Sequence, residues 1–452
     1  MATEGVTVGI DIGTTSVKAV AADEDGAVLA RARVPHDLVV PAPDRLEHHA
    51  DQAWRDGVRR ALEAVASNLP GRHVVAVQVA AMVPSLCAVE ADGSAVTPGL
   101  LYGDGRAGVP AGADPSTSGE LLGFLRWCAA AAPDAYGYWP AQAMANHALG
   151  GEAVIDHITA LTAAPLFDGK GWDTEVVESA AVTPDRLPRL VPSDEPAGRL
   201  LDTLPAGGAL LGPGTIDAFA EQLVAGAERD GDVLVICGTT LITWAVSPTW
   251  REVDGLWTVP HTAPGKVLIG GPSNAGGLFL ERVRTLVGDR PGTVGPGAVD
   301  PQRVPVWTPY IRGERTPLHD PSRRAGLHDL DLTHDAAAIR RAAYEASGFV
   351  VRHHLDLAGT TPQRIVAAGG GSQVTEWLQA LADCTGLPVE AVAVPEGAAL
   401  GAAFMARVVA GLESAVDEAR RWAATGRRTE PDPAWVGAAA ERYERFRALV
   451  TG

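Results

Sequence analysis

The segment from Asp11 to Lys18, which reads DIGTTSVK, combines an acidic side chain with a glycine and two adjacent threonines. Apolar residues alternate before it and resume after it, which predicts two strands joined by a turn at Gly13, Thr14 and Thr15. Such a turn can surround phosphate oxygens with backbone N–H groups and hydroxyls, because glycine lets the main chain approach without a Cβ. Asp11 would hold a hydrated Mg²⁺ beside those phosphates. The alternative is an ordinary tight turn with a solvent-facing aspartate.

A second hairpin of the same kind is predicted near the middle of the chain. Residues 232–236 and 241–246 have the composition of strands, and Gly238, Thr239 and Thr240 lie in the loop between them. This loop would bind the same triphosphate from the opposite domain. Gly-Thr turns are common, so the loop taken alone indicates only a plain hairpin, and the repetition of the motif is what favours phosphate binding.

A glycine-rich turn, Gly369 to Ser372, follows a predicted strand at 364–368 and precedes a predicted helix at about 374–384. Its glycines could pass close to a flat adenine or ribose, while the start of the helix presents free N–H groups. Its position after the two hairpins favours a role in nucleotide binding.

Asp217 lies directly before a helical run at 218–227. An acid at that position is typical of a helix N-cap. It could also act as the base that accepts a proton from a substrate hydroxyl during phosphoryl transfer. The two roles are compatible at one helix start.

Composition limits the class of protein. The chain has 452 residues, 46% of them hydrophobic, and a formal net charge of −18, so we expect globular domains that bind neither nucleic acid nor a membrane surface. The four cysteines are far apart and form no CxxC pair. With no signal peptide and no apolar stretch long enough to span a bilayer, we expect a cytoplasmic protein.

The order of predicted elements defines the architecture. Three antiparallel strands open the chain, a helix at 52–66 and a buried strand at 73–80 follow, and the hairpin is repeated from residue 232. This pattern predicts two similar α/β domains that face each other across a cleft, residues 1–220 and 221–452.

The chain resembles the FGGY family of carbohydrate kinases over almost its full length. The matching segments occur in the family's order: Asp11 to Lys18, Glu47, Tyr102-x-Asp104-x-Arg106, Gly214-x-x-Asp217, Gly238 to Thr240, Gly313 to Pro317 with Asp320, Arg341 to Glu345, and Gly369 to Ser372.

The resemblance implies two actin-like, ribonuclease-H-like ATPase domains that use ATP and Mg²⁺ to phosphorylate a sugar or polyol. It assigns Asp217 as catalytic base and Asp11 as the metal-organising carboxylate. A list of nucleotide-binding residues follows from it: Gly13, Thr14, Thr15, Lys18, Gly238, Thr239, Thr240, Gly370, Gly371 and Ser372. Asp104 and Arg106 match a motif near the sugar pocket, where a structural ion pair is equally compatible. A homodimer is possible.

The residues expected at the sugar pocket depart from the pattern of the family. Xylulokinases have a Gln-Met-His-Gly stretch after the strand that ends at Ala80, whereas this chain has Ala81, Met82, Val83, Pro84 and Ser85. Loss of polar groups predicts a less stringent pocket or a less hydroxylated substrate. Met82 could contact that substrate or belong to the core. The histidines at 48–49 and 353–354 match no metal-ligand spacing and are expected to be solvent-exposed.

We therefore predict a kinase for a sugar or polyol, most simply a pentulose. The alternatives are a kinase for a pentitol, a tetritol or gluconate, and a nucleotide-dependent sugar sensor without turnover. Retention of Asp217 favours an enzyme, because a sensor needs no base.

Overall fold

The computed structural model of the protein describes residues 5–108, 119–288 and 299–451. Its strands are β1 Val6–Ile12, β2 Ser16–Ala22, β3 Val28–Pro35, β4 Glu47–His48, β5 Val74–Ala81, β6 Ser85–Val89, β7 Gly99–Leu101, β8 Gly137–Trp139, β9 Val154–Asp156, β10 Arg189–Val191, β11 Gly198–Arg199, β12 Leu210–Leu211, β13 Thr215–Ile216, β14 Asp232–Cys237, β15 Leu241–Ser247, β16 Trp257–Pro260, β17 Val267–Ser273, β18 Val306–Thr308, β19 Gly326–His328, β20 Arg364–Ala368, β21 Val389–Val392 and β22 Thr425–Thr429.

The helices are α1 Gly57–Ser67, α2 Glu120–Ala131, α3 Ala141–Gly150, α4 His157–Leu161, α5 Thr174–Glu178, α6 Asp217–Ala225, α7 Gly277–Val287, α8 Ala336–Ala358, α9 Thr375–Thr385, α10 Gly397–Val409 and α11 Pro433–Thr451. None of the helices in the described part of the chain is both long enough and apolar enough to cross a membrane.

The chain divides into two compact units. The first contains Met1–Val224 and Glu396–Ala423, and the second contains Ala225–Pro395 and Ala424–Gly452. The domain boundary proposed from the sequence, near residue 220, lies close to the first point where the chain passes between units. The proposed second domain, however, includes residues 396–423, which the contacts group with the first unit.

The sheet of the first unit has the order β11-β12-β5-β1-β2-β3, and β13 also pairs with β5. Strand β1 lies antiparallel to β2 and parallel to β5. All seven residues of β1 are buried, as expected for a central strand with helices on both faces, although Thr7 and Asp11 interrupt its apolar residues. The three antiparallel opening strands and the buried strand that was predicted after the helix are confirmed.

The sheet of the second unit repeats this arrangement. Its order is β16-β17-β15-β14-β20-β21-β22, with β14 antiparallel to β15 and parallel to β20. The hairpin β14–β15 therefore occupies the place in this sheet that β1–β2 occupies in the first. The predicted α/β class and the repeated hairpin are confirmed.

Helix α10 packs against β1 and β5 at very short distance. A Cβ on Gly9 would lie 1.8 Å from the carbonyl oxygen of Ala399, and a Cβ on Gly401 would lie 1.9 Å from that of Ala220. The Ala398 N–H donates to Glu221 on α6, with an N–O distance of 2.8 Å. Small residues on both surfaces are thus what allow this helix to cover the sheet.

Candidate active site

The carboxyl ends of three neighbouring strands of the first unit meet at one sheet edge. Asp11 is paired with Ala80 of β5, and on the other side of β5 Thr215 is paired with the same residue. Asp11 and Thr215 therefore flank Ala80, roughly two strand spacings or about 10 Å apart. Asp217 follows β13 directly, so its carboxylate and that of Asp11 belong to the same edge.

Asp11 is buried and paired with a cation. The ammonium Nζ of Lys18, on the adjacent strand β2, lies 3.4 Å from Asp11 Oδ2. Burial raises the pKa of Asp11, and the charge of Lys18 acts in the opposite direction. The Asp11 carboxylate in turn raises the pKa of Lys18. The pair places one negative and one positive charge beside the first hairpin.

Asp217 is the first residue of α6 and is only half-buried. Its Oδ1 accepts a hydrogen bond from the Ala218 N–H at 2.6 Å. Enough protein surrounds the carboxyl group for burial to raise its pKa from 3.8 to about 7, and the negative charge of Asp11 contributes to the same shift. This carboxylate can exchange a proton near neutral pH and remains in contact with solvent.

Hydrogen bonds to the backbone and to Tyr102 stabilise the loop between β1 and β2. The Gly13 N–H donates to the Ser16 carbonyl oxygen at 3.1 Å. The Thr14 hydroxyl is buried and bonds to the Tyr102 hydroxyl at 3.0 Å, whereas Thr15 is exposed. Both threonines were expected to present hydroxyls to phosphate. Only Thr15 presents its side chain to solvent, because the hydroxyl of Thr14 is buried and hydrogen-bonded to Tyr102.

A buried histidine supports this loop from behind. The Trp54 indole N–H donates to His48 Nδ1 at 3.0 Å, so the ring proton of the neutral imidazole is on Nε2. His48 Nε2 lies 2.8 Å from the carbonyl oxygen of Thr14 and donates to it. Burial lowers the pKa of His48 to about 3, so the tautomer persists at any ordinary pH.

The expectation that the paired histidines are exposed is wrong for His48, His353 and His354, which are all buried. For His48, the signal in the sequence is Trp54 six residues later. A tryptophan side chain that is buried needs an acceptor for its N–H, and a histidine on a neighbouring element can supply one.

Asp104 and Arg106 form a structural ion pair with Glu47. The Asp104 side chain has 0% exposure, and its oxygens accept bonds from the Leu46 N–H and from the backbone and guanidinium N–H groups of Arg106. The same guanidinium donates to Glu47 Oε2 at 2.7 Å. Both oxygens of the Asp104 carboxylate accept hydrogen bonds within the protein. The structure therefore favours the ion pair over the substrate contact predicted for Asp104.

Met82 lies in the hydrophobic core of the first unit and is 2% exposed. The structure therefore favours the core position that was the alternative to a substrate contact for this residue. Burial of an apolar side chain just beyond a central strand accounts for that preference.

The second hairpin is held by the start of helix α7. The Gly238 N–H donates to the Thr240 carbonyl oxygen at 3.1 Å. The carbonyl oxygens of Gly238 and Thr239 accept the N–H groups of Gly277 and Leu278 at 2.8 and 3.1 Å. The loop is therefore fixed, and both threonines remain partly exposed.

The glycine-rich turn between β20 and α9 has one open and one crowded position. A Cβ on Gly370 would meet nothing within 4 Å, whereas a Cβ on Gly371 would lie 2.3 Å from the Trp377 ring. The hydroxyl of Ser372 is buried and donates to the Gly369 carbonyl oxygen at 2.7 Å. The open backbone at Gly370 could meet a flat ring, but the Ser372 side chain points inward and stabilises the turn.

The second unit also contains a buried glutamate that the sequence motif did not explain. Glu314 Oε1 accepts the N–H groups of Asn274 and Arg315, and its Oε2 bonds to the Ser273 hydroxyl at 2.7 Å. Burial raises the pKa of Glu314 from 4.5 to about 7. This carboxyl group links the end of β17 to the segment at 313–317.

The donor set at the first sheet edge is compatible with Mg²⁺. In the described part of the chain, no group of three or more histidine, cysteine, aspartate or glutamate side chains could hold a metal ion. Mg²⁺ usually takes one or two protein carboxylates, because phosphate oxygens and water complete its octahedron. Asp11 could provide such a carboxylate, which fits an ion that arrives with a nucleotide.

Comparisons with known proteins agree with this geometry. Models of the FGGY family of carbohydrate kinases match residues 6–109 (N-terminal domain) and 233–410 (C-terminal domain), together more than half of the chain. The chain is 30% identical to a xylulose kinase from Streptomyces coelicolor, over 93% of this chain and 92% of that protein. It is 25% identical to a gluconokinase from Bacillus subtilis, over 88% of this chain and 86% of that protein.

A crystal structure of a xylulose kinase from Rhodospirillum rubrum superposes with a TM-score of 0.76 at 26% identity, and the match covers 99% of this chain and 98% of that one. The two-unit α/β fold is therefore the actin-like fold of these enzymes. The family models, the relatives and the fold all lead to one assignment: the chain belongs to the FGGY family of carbohydrate kinases.

Proposed function

We propose that this ATP-dependent carbohydrate kinase phosphorylates a hydroxyl group of a pentulose, with Asp217 as the general base. The observation that supports the role of Asp217 is its place at the carboxyl edge of the first sheet, where it is partly buried and has a pKa of about 7. A base with this pKa is ionised in a large fraction of molecules at neutral pH and still has a useful affinity for a proton.

The reaction requires little covalent chemistry from the protein. The substrate oxygen forms a bond to the γ-phosphorus while the bond from that phosphorus to the β–γ bridging oxygen breaks, and ADP leaves. The hydroxyl proton passes to an oxygen of Asp217 late in this step, when the attacking oxygen has become acidic. Positioning and charge neutralisation supply most of the rate enhancement.

Phosphate binding is assigned to the two hairpins. Backbone N–H groups at Gly13 to Thr15, the exposed Thr15 hydroxyl and the Lys18 ammonium would contact phosphate oxygens from the first unit. The partly exposed Thr239 and Thr240 would do so from the second. Mg²⁺ held by Asp11 would neutralise phosphate charge, and the open backbone at Gly370 would meet the adenosine.

A pentulose is favoured because a xylulose kinase is among the relatives that align along nearly the whole chain. Gluconate is the second candidate, since a gluconokinase aligns at similar identity. A coupled assay of ADP release over ketopentoses, pentitols, tetritols, glycerol and gluconate would separate them. If none of these compounds stimulated ADP release, the result would contradict the proposed kinase function and favour a nucleotide-dependent sensor.

Asp217→Asn tests the base directly. We expect kcat to fall by about 10² to 10⁴, with the affinity for ATP nearly unchanged. Asp335→Asn is the matched control, because Asp335 also begins a helix, where its side chain accepts the Ala338 N–H at 2.9 Å. Asn caps helices as well as Asp does, so this variant should keep full activity. Normal turnover by Asp217→Asn would contradict the proposed role.

A further inference from the structure

The chain between β17 and α7 lies directly beside the second hairpin loop. This β17–α7 connection consists of residues 274–276. Ser273, the last residue of β17, is paired with Leu241, the first residue of β15, so the connection begins next to the loop at 238–240. It ends at the start of α7, whose first two N–H groups donate to carbonyl oxygens of that loop. The position of the loop therefore depends on the path of the connection.

The connection and the loop are packed without any space between them. A Cβ on Gly276 would lie 2.3 Å from the carbonyl carbon of Thr240 and 2.6 Å from the backbone nitrogen of Leu241. A shift of the connection toward the loop would displace the loop backbone, and a shift away from it would stretch the bonds to α7. Whatever fixes the connection thus also fixes the threonines of the loop.

The side chain of Glu314 orients the first half of the connection. Its Oε1 accepts the Asn274 N–H at 2.9 Å, and its Oε2 accepts a hydrogen bond from the Ser273 hydroxyl at 2.7 Å. The oxygen of that hydroxyl accepts the Ala275 N–H at 3.1 Å. One carboxylate therefore orients the N–H groups of two consecutive residues, one directly and one through Ser273, and hydrogen bonds to a charged group are the stronger kind.

Glu314 is itself attached to the end of β17 on both sides. On one side, the Asn274 side-chain amide donates to the Gly313 carbonyl oxygen at 2.9 Å. On the other, the N–H and the hydroxyl of Thr316 both donate to the Pro272 carbonyl oxygen, at 3.1 and 2.8 Å. Glu314 is 3% exposed, so water does not compete for these bonds. The carboxylate can hold its partners in one arrangement.

We propose that Glu314 is a positioning residue for ATP, which holds the β17–α7 connection in the path that places Thr239 and Thr240 against the phosphates. Glu314 acts through the connection, because its carboxylate oxygens are already bonded within the protein. The proposal rests on the phosphate-binding role proposed above for the second hairpin. The glycine-rich turn at 369–372 lies against Cys237, before the loop, so adenosine binding should not depend on Glu314.

Nucleotide binding by Glu314→Ala tests the proposal. The full-length variant is titrated calorimetrically with ATP in the absence of acceptor and, separately, with adenosine. We expect Kd for ATP to rise about tenfold, because misplacing positioning groups by about 1 Å can cost as much as roughly a hundredfold. Kd for adenosine should change by less than about twofold. Unchanged affinity for ATP, or an equal loss for ATP and adenosine, would overturn the proposal.

The conservative variant Glu314→Gln should keep Kd for ATP within about threefold of the wild type. Its amide oxygen can accept the Asn274 N–H, and its NH₂ group can donate to the Ser273 hydroxyl oxygen. A loss as large as that of Glu314→Ala would contradict the proposal. If Glu314→Ala does not fold, Ser273→Ala takes its place, because it removes only the bond that passes through the hydroxyl. A rise of about threefold in Kd for ATP alone would support the proposal, and no rise would refute it.

Asp232→Ala is the matched control. Asp232 is also a buried carboxylate of the second unit that accepts backbone N–H groups, those of Glu228 and Arg229 at 3.1 and 3.0 Å. It begins β14, so it lies at the opposite end of the strand from the loop, roughly 17 Å away. This variant should lose stability but keep the ratio of ATP to adenosine affinity. A selective loss of ATP affinity in Asp232→Ala would count against a specific role of Glu314.

The double variant Thr239→Val with Thr240→Val separates this proposal from the proposed phosphate site. Unchanged ATP affinity in the double variant would refute the phosphate contacts of these hydroxyls and, with them, the positioning role. Weaker ATP binding by the double variant together with normal ATP binding by Glu314→Ala would support the phosphate site and refute the role of Glu314.

Discussion

The pH dependence of turnover tests the environment of Asp217. Burial and the negative charge of Asp11 raise its pKa to about 7. A base must be deprotonated to act, so kcat/KM should rise with pH through about 7 and level off above it. The ionised fraction increases from about one tenth at pH 6 to about nine tenths at pH 8, which predicts roughly a tenfold rise. A carboxylate at its ordinary value of 3.8 would give no change over this range.

Asp11→Asn tests the cause of the shift. Removing the negative charge of Asp11 removes its repulsion of the ionised Asp217, so the pKa of Asp217 should fall and the rise in kcat/KM should occur at lower pH. The rate itself will drop because Asp11 is also the proposed Mg²⁺ ligand. The midpoint of the pH profile does not depend on that amplitude.

The assay is the initial rate of ADP release at low acceptor and saturating ATP, from about pH 5.5 to 8.5, with the coupling enzymes in excess throughout. Glu314 also has a pKa of about 7, so Glu314→Gln serves as a control that should leave the midpoint in place. A profile that stays flat in the wild type, or a midpoint that follows Glu314 instead of Asp11, would refute the reasoning about Asp217.

Three further predictions concern packing and positioning. Gly9→Ala should cost about 3 kcal/mol or more and lower Tm in a thermal melt, whereas Gly437→Ala, on an open helix surface, should stabilise by about 0.5–1 kcal/mol. His48→Leu leaves the Thr14 carbonyl unpaired and should raise KM for ATP about tenfold in steady-state assays, with recovery in His48→Gln. Glu314 contributes most to the free energy of unfolding below pH 4.5, and this contribution is lost as the pH rises through about 7. The Glu314→Gln variant should therefore show a smaller change in the free energy of unfolding between these pH values, measured by urea denaturation.

Backbone features of the site could be predicted because they depend on local sequence. The alternation of apolar residues and the Gly-Thr-Thr turns define both hairpins, and the acid before a helical run locates Asp217 at the start of α6. These patterns involve residues a few positions apart, where strand and helix periodicity is informative.

Side-chain direction could not be predicted, because it depends on distant partners. Thr14 faces inward since Tyr102, 88 residues later, meets its hydroxyl. The Asp104 carboxylate accepts hydrogen bonds from Arg106 and from the backbone N–H of Leu46, 58 residues earlier. A motif states which residue types are present at a loop, and the surrounding fold decides which of them a ligand can reach.

The return of helix α10 to the first unit affects how the chain is made. This helix covers β1 and β5 but is encoded from residue 397, after about nine tenths of the chain. At bacterial or eukaryotic rates of synthesis, residues 225–396 take roughly ten to thirty seconds to emerge from the ribosome. During that time the nascent sheet keeps an uncovered apolar face, so we expect it to depend on chaperones and to be insoluble when translation stops at residue 224.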